Sequence, residues 1–163
     1  MGYDPLLINE NQYTTPSIMH ELEYETTVSL RFKVAVETGK IILKYPSEKF
    51  LKQIVKLASK IGDLLSLSDV DKEVLALALE LSERAHSPII VSDDYSVQNV
   101  ADQLNIKYVS LTNLGIRYRF HWVLYCSGCH RKFPPTHSQK KCSTCGTTLK
   151  RRVDKKTPSR QND

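Results

Sequence analysis

Apolar residues recur along positions 13–111 at spacings that alternate between those of helices and those of short strands. A helix is predicted after Ser47, where apolar residues stand three or four positions apart and so share one face: Phe50, Ile54, Leu57 and Ile61. Gly62 is expected to end it. Ser68 is expected to cap a further helix through 74–79, which is apolar on nearly all sides and should be buried.

Short apolar runs predict strands at Ile41–Leu43, Pro88–Val91 and Ile106–Leu111. Two more helices are predicted, from the Thr15-Pro16 pair to about Thr38 before Gly39, and from Ser96 to Leu104. Helices that alternate with strands are typical of an α/β domain with a mainly parallel sheet flanked by helices. The unbroken run Pro88–Val91 has the character of a central strand covered on both faces.

These periods stop after residue 112, and the following segment is punctuated by Gly, Pro and Cys. A chain of 163 residues has room for one compact domain and a small module. We therefore predict a domain over 1–112, a linker over 113–120, a cysteine-bearing module over 121–152 and a basic, disordered tail over 153–163.

Composition is that of an ordinary globular protein, with 40% hydrophobic and 25% charged residues. No apolar run approaches the roughly 18 residues that cross a bilayer, so no membrane span is predicted. The N-terminus lacks the charged start, apolar centre and cleavage site of a signal peptide. The expected location is therefore the cytoplasm.

The formal net charge of +5 is divided unevenly along the chain. Residues 1–116 hold 11 Lys/Arg and 16 Asp/Glu, a balance of −5, whereas residues 117–163 hold 12 Lys/Arg and 2 Asp/Glu, a balance of +10. A basic module beside an acidic domain favours a polyanionic partner such as a nucleic acid. A basic tail that only keeps the protein in solution is the alternative.

Four cysteines form two CxxC pairs separated by twelve residues, namely Cys126 with Cys129 and Cys142 with Cys145. Two residues between thiols place both sulfurs on one side of a turn, and two such turns complete a tetrahedral zinc site. Four protein ligands leave no position for water, so the predicted zinc is structural and supplies folding free energy. His130 and His137 lie between the pairs and are the alternative ligands.

Basic residues run through the same segment and predict an RNA-binding surface: Arg131, Lys132, Lys140, Lys141, Lys150, Arg151 and Arg152. Cations follow phosphates, and the interleaved aromatic residues can stack on unpaired bases: Trp122, Tyr125 and Phe133. For Trp122 and Phe133, a place in the small core of the module is the favoured alternative.

Acidic residues supply the candidates for chemistry: Glu21, Asp71, Asp93 and Asp94, with Asp69 in reserve. Ligand crevices of open α/β sheets form where strands end, as at Asp93 and Asp94, and carboxylates gathered there suit Mg²⁺ or Mn²⁺. Each also has a structural explanation. Glu21 stands in an acidic run, Asp71 is placed to close a capping box with Ser68, and Asp93 and Asp94 are placed to cap the next helix.

Three segments, followed by the cysteine module, resemble the archaeal form of the Nin-one-binding family: Tyr13–Leu22, Leu67–Ala78 and Ser92–Ala101. The similarity covers nearly the whole chain. It implies a PIN-like domain followed by a zinc ribbon, in an endoribonuclease that cuts small-subunit pre-rRNA at its 3′ end within the pre-ribosomal small subunit. On that resemblance, Glu21, Asp71 and Asp94 coordinate the catalytic Mg²⁺ or Mn²⁺, with Asp93 beside them.

The resemblance also implies a first apolar strand with a catalytic aspartate, and no segment before Tyr13 matches it. Asp4, beside Pro5, has no apolar run ahead of it and is a poor substitute. We therefore expect the chain to lack that strand and one metal ligand. The alternatives are a catalytically inactive rRNA-binding assembly factor and a PIN ribonuclease with another RNA target.

Overall fold

The computed structural model describes residues 4–22, 26–112 and 115–160. Short 3₁₀ turns lie at Pro5–Leu7 and Leu64–Ser66. The helices and strands are β1 (Gln12–Thr14), α1 (Ile18–Glu21), α2 (Thr27–Glu37), β2 (Ile41–Leu43), α3 (Glu48–Ile61), α4 (Asp69–Glu83), β3 (Ile89–Val91), α5 (Tyr95–Gln103), β4 (Lys107–Val109), β5 (Tyr118–Cys126), β6 (Lys132–Phe133) and β7 (Leu149–Pro158).

Parallel strand pairs form the first part of the fold, as the α/β prediction requires. β1 pairs with β2 and β3 pairs with β4, both in parallel, and within the described ranges these are two separate two-stranded sheets. The third sheet is antiparallel, in the order β6-β5-β7. The fold is thus a helix-flanked α/β part followed by a small antiparallel module.

The hydrophobic core lies between α3, α4, α5 and the β3–β4 sheet. Its most enclosed side chains include Ile54, Leu75 and Val100, each 0% exposed. The predicted burial of the helix after Ser68 is confirmed, because residues 75–78 are all buried. Such burial contributes about 2 kcal/mol for each large apolar side chain.

Glu80 of α4 fixes the junction between β2 and α3. It is 3% exposed, accepts a hydrogen bond from Ser47 N at 2.8 Å, and forms ion pairs with Lys44 and Arg84 at 3.3 and 2.7 Å. The hydrogen bond from the Ser47 amide lowers the pKa of Glu80 most, burial opposes that shift, and the charges of Lys44 and Arg84 add to it. A buried acid with three partners thus holds the start of α3 against α4.

The predicted ends of the central helices agree with the structure. Gly62 follows α3 with φ 86°, and its amide donates to Ala58 O. A Cβ at Gly62 would lie 2.7 Å from the Trp122 Cβ, so the close approach of β5 also requires glycine there. Ser68 and Asp71 form the capping box that opens α4.

The predicted helix from Thr15 to about Thr38 is wrong in its extent. α1 ends at Glu21 because Leu22 has extended backbone, and α2 begins after Thr26, whose side chain accepts from Ser29 N at 3.1 Å. Residues 23–25 lie outside the described ranges. The strand β1 was not predicted, because three residues are too few to show a period.

The expectation that both faces of the Pro88–Val91 strand are covered is also wrong. Ile90 is 4% exposed, but Ile89 and Val91 are 56% and 42% exposed. The core therefore covers only the face of β3 that carries Ile90.

The predicted linker and disordered tail need correction as well. β5 begins at Tyr118, inside the predicted linker over 113–120, of which 113–114 lie outside the described ranges. β7 continues to Pro158 along β5, with a bulge opposite His121 and Trp122. Ser159 is 0% exposed. Main-chain pairing and this buried serine order the segment despite its polar composition; 161–163 lie outside the described ranges.

Candidate metal centre and nucleic-acid interface

Two turns at one end of the β6-β5-β7 sheet bring the cysteine sulfurs together. All four Sγ atoms lie within 4.8 Å of one another, with 3.3 Å between Cys126 and Cys145 and 3.5 Å between Cys129 and Cys142. Across the described ranges no other set of three or more Cys, His, Asp or Glu side chains is so close. The prediction that the two CxxC pairs face each other is confirmed.

Matching main-chain hydrogen bonds shape the two turns. His130 N donates to Cys126 O and Gly146 N donates to Cys142 O, both at 2.9 Å. The amide of Thr144, in contrast, donates to a sulfur, Cys142 Sγ, at 3.4 Å. Amides directed at sulfur stabilise the thiolate, which is the form that binds metals.

The two turns approach each other at Gly128 and Thr147. A Cβ on Gly128 would lie 2.6 Å from Thr147 Oγ1, so a side chain there would push the turns apart. Hydrogen bonding by the Thr147 side chain, and then by its amide, lowers the pKa of Cys145 to about 6. The thiolate form of Cys145 is therefore favoured near neutral pH.

The four sulfurs fit a four-coordinate metal ion with no open position for water. Neither intervening histidine joins them. His130 Nδ1 contacts the Tyr125 hydroxyl, and the His137 ring stacks on Phe133 with 4.8 Å between centroids. Phe133 is half-buried and contacts His137 within the module.

Polar side chains from α3 to α5 attach the module to the α/β part. Asn99 Nδ2 donates to Asp63 and, at 3.0 Å, to Phe120 O, while Asn99 Oδ1 accepts from Phe120 N at 2.8 Å. Arg151 contacts Asp63, donates to Ser66 Oγ at 2.6 Å and lies over the Trp122 ring at 4.0 Å. Burial raises the pKa of Asp63, and its hydrogen bond from Asn99 and the charge of Arg151 oppose that rise.

A second buried carboxylate, Asp102, holds the end of β7. It is 1% exposed, accepts from Ser159 Oγ at 2.9 Å, and pairs with Arg119 at 3.1 Å. Tyr108 of β4 shares a 3.0 Å hydrogen bond with Ser159. Sequence analysis did not identify these attachment residues. The available signal was a set of polar residues among apolar ones in α5.

The seven predicted RNA-binding residues occupy different surroundings. Arg131 donates to Thr144 at 2.8 Å and Lys132 pairs with Asp154 at 2.7 Å. Arg151 contacts Asp63 and so helps to attach the module to the α/β part. Like Arg131 and Lys132, the other four are exposed: Lys140, Lys141, Lys150 and Arg152. The Arg152 guanidinium lies 4.9 Å from the Tyr125 ring centroid.

Asp93, at the end of β3, is engaged by the loop after β4. It accepts from Ser110 Oγ and from the amides of Leu111 and Thr112 at 2.9 and 3.0 Å. These hydrogen bonds lower the pKa of Asp93 from 3.8 to about 2, and the bond from Ser110 has the largest effect. Its carboxylate thus ties the β3 end to the segment after β4.

Asp94 and Asp71 each cap a helix through one carboxylate oxygen. Asp94 Oδ1 accepts from Ser96 N and Val97 N, and Asp71 Oδ2 accepts from Ser68 N at 2.8 Å. The second oxygen of each has no hydrogen-bond partner in the part of the chain that the structure describes. Both structural explanations from the sequence are therefore confirmed, and each side chain keeps a free ligand atom.

Glu21 is the exposed last residue of α1. The ligand oxygens of Glu21, Asp71 and Asp94 do not all lie within 4.8 Å of one another, since the cysteine group alone meets that distance in the described ranges. Asp69 instead pairs with Lys72 at 2.9 Å. The structure thus places Asp93 and Asp94 after a strand, Asp71 in the first turn of a helix and Glu21 at the end of one, without joining them as one set.

No helix in the described ranges is long and apolar enough to cross a membrane. The α/β part with its attached cysteine module defines a PIN-domain protein with a ribbon-like module, and the family profile for the PIN domain of ribonuclease matches residues 5–81. The chain belongs to the endoribonuclease Nob1 family, because members of that family match it at 33% and 36% identity over 94% and 85% of its length.

Relatives of that family match along most of the chain. Endoribonuclease Nob1 of Methanocaldococcus jannaschii is 33% identical over 154 residues, which are 94% of this chain and 73% of that protein. Endoribonuclease Nob1 of Pyrococcus abyssi is 36% identical over 138 residues, 85% of this chain and 81% of that protein. Ribonuclease VapC1 of Thermoplasma acidophilum is 39% identical over 127 residues, 78% of this chain and 62% of that protein.

Proposed function

We propose that this chain is an endoribonuclease that cuts small-subunit pre-rRNA at its 3′ end within the pre-ribosomal small subunit, in the cytoplasm. One observation carries the proposal. The similarity to endoribonuclease Nob1 of Methanocaldococcus jannaschii extends over 94% of the chain, so both the α/β part and the cysteine module are shared. We assign the nuclease domain to 1–112 and RNA binding mainly to the basic module.

The proposed ion at the four cysteines is zinc in a structural role. Sulfur ligands with tetrahedral spacing favour zinc, and the closed ligand set leaves no place for a reacting water. In the proposal this ion stabilises the module that carries the basic residues. Lys140, Lys141, Lys150 and Arg152 contact RNA phosphates. Arg131, Lys132 and Arg151 shape the same surface through their bonds to Thr144, Asp154 and Asp63.

The proposed catalytic ion is Mg²⁺ or Mn²⁺, with Glu21, Asp71 and Asp94 as ligands and Asp93 as their neighbour. Carboxylate oxygens have the right chemistry for these ions, and Asp71 and Asp94 each keep an uncommitted oxygen. When bound, such an ion activates water for attack on a phosphodiester. The carboxylate oxygens of Glu21, Asp71 and Asp94 do not all lie within 4.8 Å of one another. We therefore derive no reaction step through the ion.

The test is cleavage of an RNA that spans the 3′ end of small-subunit rRNA, with Mg²⁺ or Mn²⁺ added to the full chain. Asp71→Asn and Asp94→Asn are expected to reduce cleavage by at least about a hundredfold. Asp69→Asn is the matched control, because Asp69 stands two residues before Asp71 in the first turn of α4 and its side chain pairs with Lys72. RNA that is bound tightly but cut with neither ion would favour the inactive assembly factor instead.

A further inference from the structure

The solvent-facing side of α3 carries two parallel stripes. Leu51, Val55 and Ser59 stand four residues apart and form a stripe of apolar or small residues along the helix. Beside it runs a stripe of lysines one position further on: Lys52, Lys56 and Lys60. The neighbouring side of α3 enters the core through Phe50, Ile54, Ala58 and Ile61, and Leu51 is partly buried against that core.

These stripes line a groove of about 700 Å³. Leu64, which lies beyond the end of α3, and Thr136 of the cysteine module also line the groove. Val55 is 38% exposed and the neighbouring Leu65 is 98% exposed, so apolar surface continues past the groove. The groove is therefore formed jointly by the α/β part and the module.

The positive charge on the lysine side of the groove is largely uncompensated by acidic residues. Lys52 pairs with Glu48 at 2.7 Å, but both side chains are more than 70% exposed, and such pairs stabilise little. Lys56 and Lys60 form no ion pair with any residue in the described ranges. A positive edge thus stands on a part of the chain whose overall charge is negative.

We propose that this groove binds an acidic amphipathic helix of a partner protein. Apolar side chains of that helix, three or four residues apart, fill the Leu51–Val55–Leu64 floor, and acidic residues on one flank face Lys52, Lys56 and Lys60. Ser59 is small enough to let the partner backbone come close. This is the helix-in-groove mode of recognition, with charge fixing the orientation of the helix.

RNA is the less suitable occupant of this groove. Phosphates would lose water beside the apolar floor without gaining hydrogen bonds there. The groove has no aromatic residue on which a base could stack. The basic face of the module offers both a hydrogen-bond donor for phosphate, on Arg152, and an aromatic ring, on Tyr125.

The probe is a synthetic helical peptide of about 18 residues, long enough to span the groove, with leucines three and four apart and glutamates on one flank. Its binding to the ¹⁵N-labelled, zinc-loaded full chain is followed by fluorescence anisotropy and amide chemical shifts. We expect shifts confined to α3, Leu64 and the loop around Thr136. Val55→Asp should weaken binding by at least about tenfold, as should Lys56→Glu with Lys60→Glu.

Matched controls separate this site from general charge attraction. Val28→Asp places the same change on an exposed valine of α2, and Lys107→Glu reverses a charge on β4; neither should alter binding. A peptide with serines in place of the leucines should not bind. Equal binding of the serine peptide, unchanged binding by Val55→Asp, or single-stranded RNA that shifts the same α3 amides would each overturn the proposal.

Discussion

The Asn99 side chain forms a two-way hydrogen bond with the main chain of Phe120, donating to its carbonyl at 3.0 Å and accepting from its amide at 2.8 Å. The Asn99 side chain thus supplies, at this edge of β5, the pair of main-chain hydrogen bonds that a neighbouring strand supplies elsewhere in a sheet. Asn99 is 2% exposed and also donates to the buried Asp63, so one residue connects the two parts of the fold.

Asn99→Ala is expected to lower the free energy of unfolding by about 2 kcal/mol, because it leaves the Phe120 main chain and Asp63 with fewer partners. Urea denaturation measures the loss, and hydrogen exchange at the Phe120 amide reports the local opening. The exposed Asn11→Ala should change stability by less than about 0.5 kcal/mol. An unprotected Phe120 amide in the wild-type chain would contradict the role given to Asn99.

Arg151 and Arg152 are adjacent in β7 but should respond differently to alanine substitution. Arg151→Ala removes the cation beside buried Asp63 and is expected to cost about 2 kcal/mol of stability. Arg152→Ala should leave stability within about 0.5 kcal/mol, weaken RNA binding and reduce its salt slope by about 1. Denaturation and salt-dependent RNA titration of both variants are the measurements. Equal effects in both assays would contradict the assignment.

The four converging cysteines are expected to hold one zinc ion. The protein purified without chelator is expected to hold one zinc per chain by native mass spectrometry, and Cys129→Ser should lose the ion or bind it much more weakly. His130→Ala and His137→Ala are the controls and should retain it, because neither ring joins the sulfurs. Removal of zinc by a strong chelator should unfold the module while much of the α3–α4–α5 core persists, as seen by amide spectra.

Asp93 predicts a pH dependence of stability. Folding lowers its pKa from 3.8 to about 2, so the stabilisation by its ionised form is complete well above pH 3.8 and is lost as the pH falls through about 2. The melting temperature of the wild-type chain should therefore fall more steeply across this window than that of Asp93→Asn. The exposed Glu10→Gln serves as the control and should follow the wild-type curve.

Sequence periodicity was sufficient where a helix has one apolar face and clear end signals. Phe50, Ile54 and Ile61 lie in the core, and Gly62 ends α3 as predicted. The cysteine spacing likewise predicted which four sulfurs converge. In both cases neighbours in the sequence determine the local geometry, so little information from distant residues is needed.

Periodicity failed where polar residues are buried by distant partners. Arg151 was predicted to be a surface residue that binds RNA, but its charge is met by the buried Asp63, 88 positions earlier. Asp63, Asn99 and Asp102 have the composition of surface residues and are 1 to 2% exposed. Only the tertiary structure shows which polar groups satisfy each other.

The attachment of β5 and β7 to α5 has a consequence for how the protein would handle a long RNA. Because Asn99, Asp63 and Asp102 lock the basic module in place, the span from Arg152 to the carboxylates at the strand ends is set by the fold and not by a loose tether. Under the proposed function, RNA bound on the module would therefore reach those carboxylates at a separation that the fold keeps constant.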